Sequence, residues 1–196
     1  MDLQRFCVKF FAQPSAQIDD TRLIDIFHDW IRAQLPLGTL IDVADYRHVP
    51  NGPSVMLIAH EANFAVDRGH DGLGLMYQTK REQTGDVSRR LLQAIRHALD
   101  AAQRLAQDSR LAGDLEFNGG EFLFLANDRL LAPNSEETMQ QLEPSLRQVG
   151  TTLYGDEGFE LQRVDGDPRE RFAVRCVARD KVDAGSVLAK ARDALK

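Results

Sequence analysis

The chain has 196 residues and a mass of 22.0 kDa, with 43% hydrophobic residues, 28% charged residues and a formal net charge of −6. That length corresponds to one domain or two small ones, and the composition excludes a disordered chain, a collagen-like fibre and a disulfide scaffold. Residues 1–98 carry 11 basic and 12 acidic side chains and residues 99–196 carry 13 and 18. Neither half has the basic excess that a phosphate-tracking surface needs, so no nucleic-acid partner is expected.

The nearest basic cluster, Arg89, Arg90 and Arg96 after Lys80 and Arg81, reads as a solvated helix face. Cys7 and Cys176 have neither zinc nor CxxC spacing, and each sits in an apolar run, which predicts reduced, structural thiols and no metal. The segment Met1 to Phe11 lacks the pattern of a signal peptide, and the longest apolar run, Val55 to Ala59, is far too short to span a membrane. The expectation is a cytoplasmic chain with no membrane partner.

Leu3 to Ala12 alternates, with Phe6, Val8 and Phe10 on one face and Arg5, Cys7 and Lys9 on the other, the pattern of a half-buried strand. Pro14 and Ser15 break it. Asp19 or Asp20 then caps a helix with the stripe Leu23, Ile26, Phe27, Trp30 and Ile31, closed by Pro36 and Gly38. Thr39 to Tyr46 reads as a strand, followed by the turn Pro50-Asn51-Gly52-Pro53. Val55 to Phe64, apolar on both faces, reads as one central strand, and Leu73 to Arg81 as its neighbour across the turn 68–72.

Asp86 caps the longest helix, whose stripe runs from Val87 to Leu105. Leu115 to Asn118 and Glu121 to Ala126 are expected to form a hairpin around Asn118-Gly119-Gly120. A third helix starts at Asn134 or Ser135, with Glu137 as capping-box partner of Asn134, and Pro144 is expected to kink or split it. Phe159 to Val164 and Arg171 to Ala178 form another hairpin, and a last helix starts at Asp183. The order βα-βββα-ββα-ββα, without a flexible linker, predicts a single compact domain over 1–196. Its class is α+β in two layers, a mainly antiparallel sheet with helices packed on one face. Three hairpin-then-helix units recur at nearly even spacing, with no matching residue pattern beneath them.

Three clusters invite chemistry. His60-Glu61 is not a zinc-protease motif, because position 64 is Phe64 and the run is strand-like. Two ionisable groups in an apolar strand must be paired or lie at a strand end, where a pocket with Asn63 and Asp67 is the functional alternative. Asp42 and Asp45 lie near the end of the second strand, where Asp45 is within reach of His60 if the hairpin brings them together. Asn127-Asp128-Arg129 leave a buried strand just before a helix start, a position that suits either an Asx turn or an anion-binding edge. His28 and His97 fall on polar helix sides and are read as solvated. No phosphate loop, nucleophile elbow or cofactor fingerprint is present, and no cofactor is expected.

Two functional readings follow. The first is a non-catalytic binding, assembly or accessory protein that works through its sheet surface or a groove, with another protein or a second copy as partner. The second is a small enzyme or ligand sensor for a small anionic molecule, with a pocket of Asp45, His60, Glu61, Asn127, Asp128 and Arg129. In that pocket His60 would carry a proton and Arg129 would anchor the anion.

Overall fold

The computed structural model describes all residues except Ser15, Gln17, Pro50, Asn51, His70, Asp71, Ala112 and Asp114. Ser15 of the expected break, Pro50 and Asn51 of the turn at 50–53, and His70 and Asp71 of the turn at 68–72 therefore lie outside the described residues. The elements in chain order are β1 (Phe6–Ala12), α1 (Asp20–Arg32), β2 (Leu40–Asp45), β3 (Pro53–Ala59), β4 (Ala62–Asp67), β5 (Gly74–Thr79), α2 (Val87–Gln107), β6 (Phe117–Ala126), α3 (Glu136–Tyr154), β7 (Phe159–Arg163), β8 (Ala173–Ala178) and α4 (Ala184–Asp193). The eight strands form one antiparallel sheet in the order β2-β3-β4-β5-β1-β6-β8-β7. The class is α+β in two layers, as the sequence predicts.

The layering follows from chain direction. β1 runs against β5 and β6, and its connection through α1 goes toward the β2 side, whereas α2 and α3 carry the chain the other way. A single crossover hand therefore places all three helices on the same face. Their apolar stripes meet Phe6, Val8 and Phe10 of β1, Leu57 of β3, and Phe122 and Phe124 of β6 in one core, and Leu23, Phe27, Trp30, Leu92, Ile95 and Leu99 are all buried there. Asp19, Asp86, Ser135 and Asp183 cap the four helices, each accepting a backbone N–H from the first turn.

The element order differs from the expectation in two places. Val55 to Phe64 is not one strand: β3 and β4 meet at a two-residue turn, His60-Glu61, with Ile58 paired to Asn63. The polar interruption of the apolar run is the turn itself. Conversely, Asn118-Gly119-Gly120 is not a turn but part of the continuous strand β6. The reason is close approach, since a Cβ on Gly119 would lie 2.4 Å from the Asp183 backbone at the start of α4. The two differences cancel in the strand count. Helix α3 also runs unbroken through Pro144, which faces outward, so the carbonyl it leaves without a partner one turn earlier is on the exposed side.

β1 is buried on both faces, not one: Cys7 and Lys9 are 0% exposed. The face away from the helices carries a second apolar cluster of Cys7, Phe11, Ala65, Met76, Leu123, Leu125 and Ala173, to which no helix residue contributes. Lys9 crosses this face. Its Nζ donates to Asp67 Oδ2 at 2.7 Å and to the carbonyl oxygens of Gly69 and Gly72, so it reaches over β5 to β4 and its following loop. Only glycine fits beneath it, because a Cβ on Gly74 would lie 2.4 Å from the Phe10 carbonyl oxygen and 2.7 Å from Lys9 Cε.

Replacing Lys9 by Ala takes the ammonium away from the buried Asp67 carboxylate, and breaking a buried pair from one side costs about 3–5 kcal/mol. Denaturant unfolding of Lys9→Ala is expected to show a loss of that size, and an unchanged midpoint would remove the ammonium from the account of this face.

Candidate functional site

The residues singled out in the sequence separate into three places. Asp45 pairs with Val55 in the β2–β3 register, whereas His60 lies beyond the Leu40–Ala59 pair at the other end of that hairpin, so the two do not meet. Asp45 instead forms a fork with Arg47, which donates from Nη2 at 2.6 Å and from Nε and holds the carboxyl down to about 2.

His60 and Glu61 form the exposed β3–β4 turn. The His60 N–H donates to Thr39 O at 2.9 Å, and the Lys80 N–H donates to Glu61 O at 3.0 Å. The Glu61 carboxylate accepts from the Thr39 N–H at 3.1 Å and from its hydroxyl at 3.3 Å. Partial desolvation raises this carboxyl, but the Thr39 hydrogen bonds outweigh it and hold the group below the usual carboxylate range. The pair ties the start of β2 and the end of β5 to one turn.

Asn127, Asp128 and Arg129 lie at the same end of the sheet, on the far side of β5 and β1. The three strand spacings from β4 to β6 amount to about 14 Å. The Asn127 N–H donates to Arg5 O, and Asp128 accepts the N–H groups of Leu130 and Leu131 in an Asx turn. Arg129 is different. Its Nη1 donates to Arg169 O at 2.7 Å, across to the β7–β8 loop, and among the described residues it has no carboxylate partner.

Arg129 belongs to a cavity of about 380 Å³ on the helix-free face. The floor is aliphatic: Leu125 from the end of β6, Val164 just after β7, and Ala173 from the start of β8, which pairs with Leu125. The walls are Arg129, Arg169 and Arg171 with Glu170 and Asn134. Arg169 is neutralised by a fork to Asp167, the Nη2–Oδ2 distance being 2.6 Å. Arg171 is half-buried and donates from Nη1 toward the sulfur of Cys7 at 3.8 Å, and it too lacks a carboxylate partner among the described residues. The Glu170 carboxylate folds over Gly166, where a Cβ would come within 2.6 Å of its Oε2.

A second cavity of about 390 Å³ lies on the same face at the opposite strand end, lined by Phe11, Gly72, Glu121 and Arg175 among others. There Arg175 pairs with Glu121, and Lys9 and Arg175 both lie over the Phe11 ring, at 5.1 and 5.0 Å from its centroid.

Of the cavity at the β6 end, sequence reasoning found Arg129 and missed Leu125, Val164, Arg171 and Ala173 as its companions. The alternation of Arg171, Ala173, Arg175 and Val177 against Phe172, Val174 and Cys176 was the available signal, since it separates a cationic face from a core face.

Burial fixes the protonation state of both thiols and of His97. Burial pushes the Cys7 thiol up to about 11 despite the opposing Arg171 charge, and burial pushes Cys176 up to about 12. His97 is not solvated, as its helix position suggested, but half-buried and stacked on Tyr77 at 5.3 Å with an interplanar angle of 8°. Burial, helped by the Arg96 charge, lowers it to about 4. Arg96 Nη2 donates to His97 Nε2 at 2.8 Å, which puts the imidazole proton on Nδ1. No group of three His, Cys, Asp or Glu side chains among the described residues is placed to hold a metal ion, and no helix there is long and apolar enough to cross a membrane.

Two measurements check these environments. The unfolded chain takes up a proton at His97 near pH 6.5 that the folded chain refuses until about 4. The stability tied to a neutral His97 is therefore full above about pH 6.5 and is lost progressively as pH falls toward 4. His97→Gln is expected to flatten the stability–pH curve in that window, and an unchanged slope would remove His97 as its source. Both cysteines are expected to react slowly with a thiol reagent in the native state and fast in denaturant, and rapid native labelling would contradict their burial.

Compared with known proteins, the chain matches no family model, no curated protein and no solved structure.

Proposed function

We propose that the chain is a non-catalytic binding protein that works through the helix-free face of its sheet and takes an anionic group there. The observation that carries this reading is the pair Arg129 and Arg171. They are two guanidinium groups without carboxylate partners among the described residues, set around one cavity with an apolar floor, in a chain whose net charge is −6. Arg129 is exposed and Arg171 half-buried, and the half-buried cation gains more from an anion because less water screens the contact.

The reading is supported from the other side by dispersal. A small enzyme needs its proton carrier, orienter and anchor within hydrogen-bond reach of one another. Asp45, His60 with Glu61, and Asn127 to Arg129 instead occupy opposite ends and separate strands. Each is tied into a turn or fork of its own.

The test is a titration of the ¹⁵N-labelled protein with acetate, inorganic phosphate and methylamine, read from amide shifts. The anions are expected to move Leu125, Arg129, Arg171 and Ala173, and the amine is not. Arg129→Ala is expected to lose most of that response with its melting midpoint nearly unchanged, since surface substitutions usually stay within about 0.5 kcal/mol. Anion shifts confined to the helix layer, or a response that survives in Arg129→Ala, would sink the reading.

A further inference from the structure

We infer that the cavity between the ends of β6 and β8 is built for a small amphipathic carboxylate, a single carboxylate head on an aliphatic or aromatic tail. The inference rests on the anion-binding reading above and narrows it to one ligand class.

The head follows from the free edges of the two guanidinium groups. Arg129 uses Nη1 on the Arg169 carbonyl, and Arg171 uses Nη1 on the Cys7 sulfur. Each is left with its Nε–Nη2 edge, the two-donor fork that matches the two oxygens of a planar carboxylate. The Arg171 fork is held in place by being half-buried, so little side-chain freedom is lost when it binds.

The charge of the head is limited by the rest of the wall. Arg169 is already neutralised by Asp167, so it adds a backbone carbonyl and little net charge. Glu170 lines the same cavity with a carboxylate of its own. Two free cations facing one resident anion suit a head of charge −1. A phosphate monoester of charge near −2 would meet greater repulsion from Glu170 and would present three oxygens to forks made for two.

The tail follows from the floor. Leu125, Val164 and Ala173 offer only aliphatic surface, and Leu125 and Ala173 continue into the buried cluster on that face. A purely inorganic anion would leave this surface wet. Each methylene seated on it instead adds roughly fourfold in affinity, the equivalent of about 0.8 kcal/mol. The volume of about 380 Å³ falls at the lower end of small-molecule sites, enough for a short tail and too small for a folded partner.

The experiment uses the full chain and four probes: octanoate, acetate, 1-octanol and inorganic phosphate, with affinities from amide shifts. Octanoate is expected to bind at least tenfold more tightly than each of the other three, with shifts at Leu125, Val164, Arg171 and Ala173. Arg171→Gln is expected to reduce octanoate affinity at least tenfold, to the level of 1-octanol. Val164→Ser, at a half-buried position, is expected to narrow the gap between octanoate and acetate without changing acetate binding. Arg179→Gln, at the far end of the strands, is expected to bind octanoate as the parent does.

If acetate or phosphate binds as tightly as octanoate, the amphipathic carboxylate is wrong while the anion-binding reading stands. Octanoate shifts centred on Phe11 and Arg175, indifferent to Arg171→Gln, would overturn this site and leave the helix-free face as the binding surface. If neither octanoate nor any simple anion moves that face, both fall together.

Discussion

A lysine with no exposed surface is the constraint around which this sheet is arranged. The Lys9 ammonium needs every donor satisfied inside the protein, because removing an ion from water without partners costs several kcal/mol. It finds Asp67 on β4 and two carbonyls in the loop that follows. To reach them its stem crosses β5 over Gly74, where a Cβ would run into both the Phe10 carbonyl and the lysine stem. One ionic contact thereby joins three strands and folds a loop over a face that no helix covers.

That face is where the two sides of the molecule diverge. The helix side has one large aromatic and aliphatic core, closed by four capped helices. The other side has a small cluster whose cover is made of charged side chains: Lys9 and Arg175 over Phe11, and Arg171 over Cys7. Long cationic side chains can lie along apolar surface while their charged ends meet carboxylates, as Lys9 does with Asp67 and Arg175 with Glu121. A surface built this way is apolar beneath and charged above.

Much of the architecture was legible in the sequence because periodicity reports burial on one side. The stripes of α1 and α2 and the hairpin of β7 and β8 survive in the structure, and the alternation of β1 marks its helix-facing side but not the burial of the other. What was not legible has physical reasons. The turn between β3 and β4 uses His60 and Glu61 rather than glycine or proline, so no breaker marks it. Gly119 and Gly120 look like a turn but serve a crossing by α4, a contact with residues some sixty positions later in the chain. Lys9 reads as a solvent-facing residue because its partners on β4 and the next loop are invisible to local pattern. The candidate site suffers most from this. Arg129 stands out within its own segment, but Arg171 and Ala173 come to it only through the pairing of β6 with β8.

The position of β1 in the sheet also bears on how the chain reaches this structure. Cys7 lies opposite Gln78 on one side and Leu125 on the other. The strands from β2 to β5 pair with their immediate successors through short connections and need only local closure. β1 must wait for both neighbours, since non-local pairing has to meet the entropy of closing a long loop before any contact repays it. Until then Phe6, Val8 and Phe10 are exposed in an extended, β-prone segment with two open edges, the kind of species that pairs with other chains when it persists. The same strand that joins the two halves of the finished sheet is thus the point at which its assembly is most open to error.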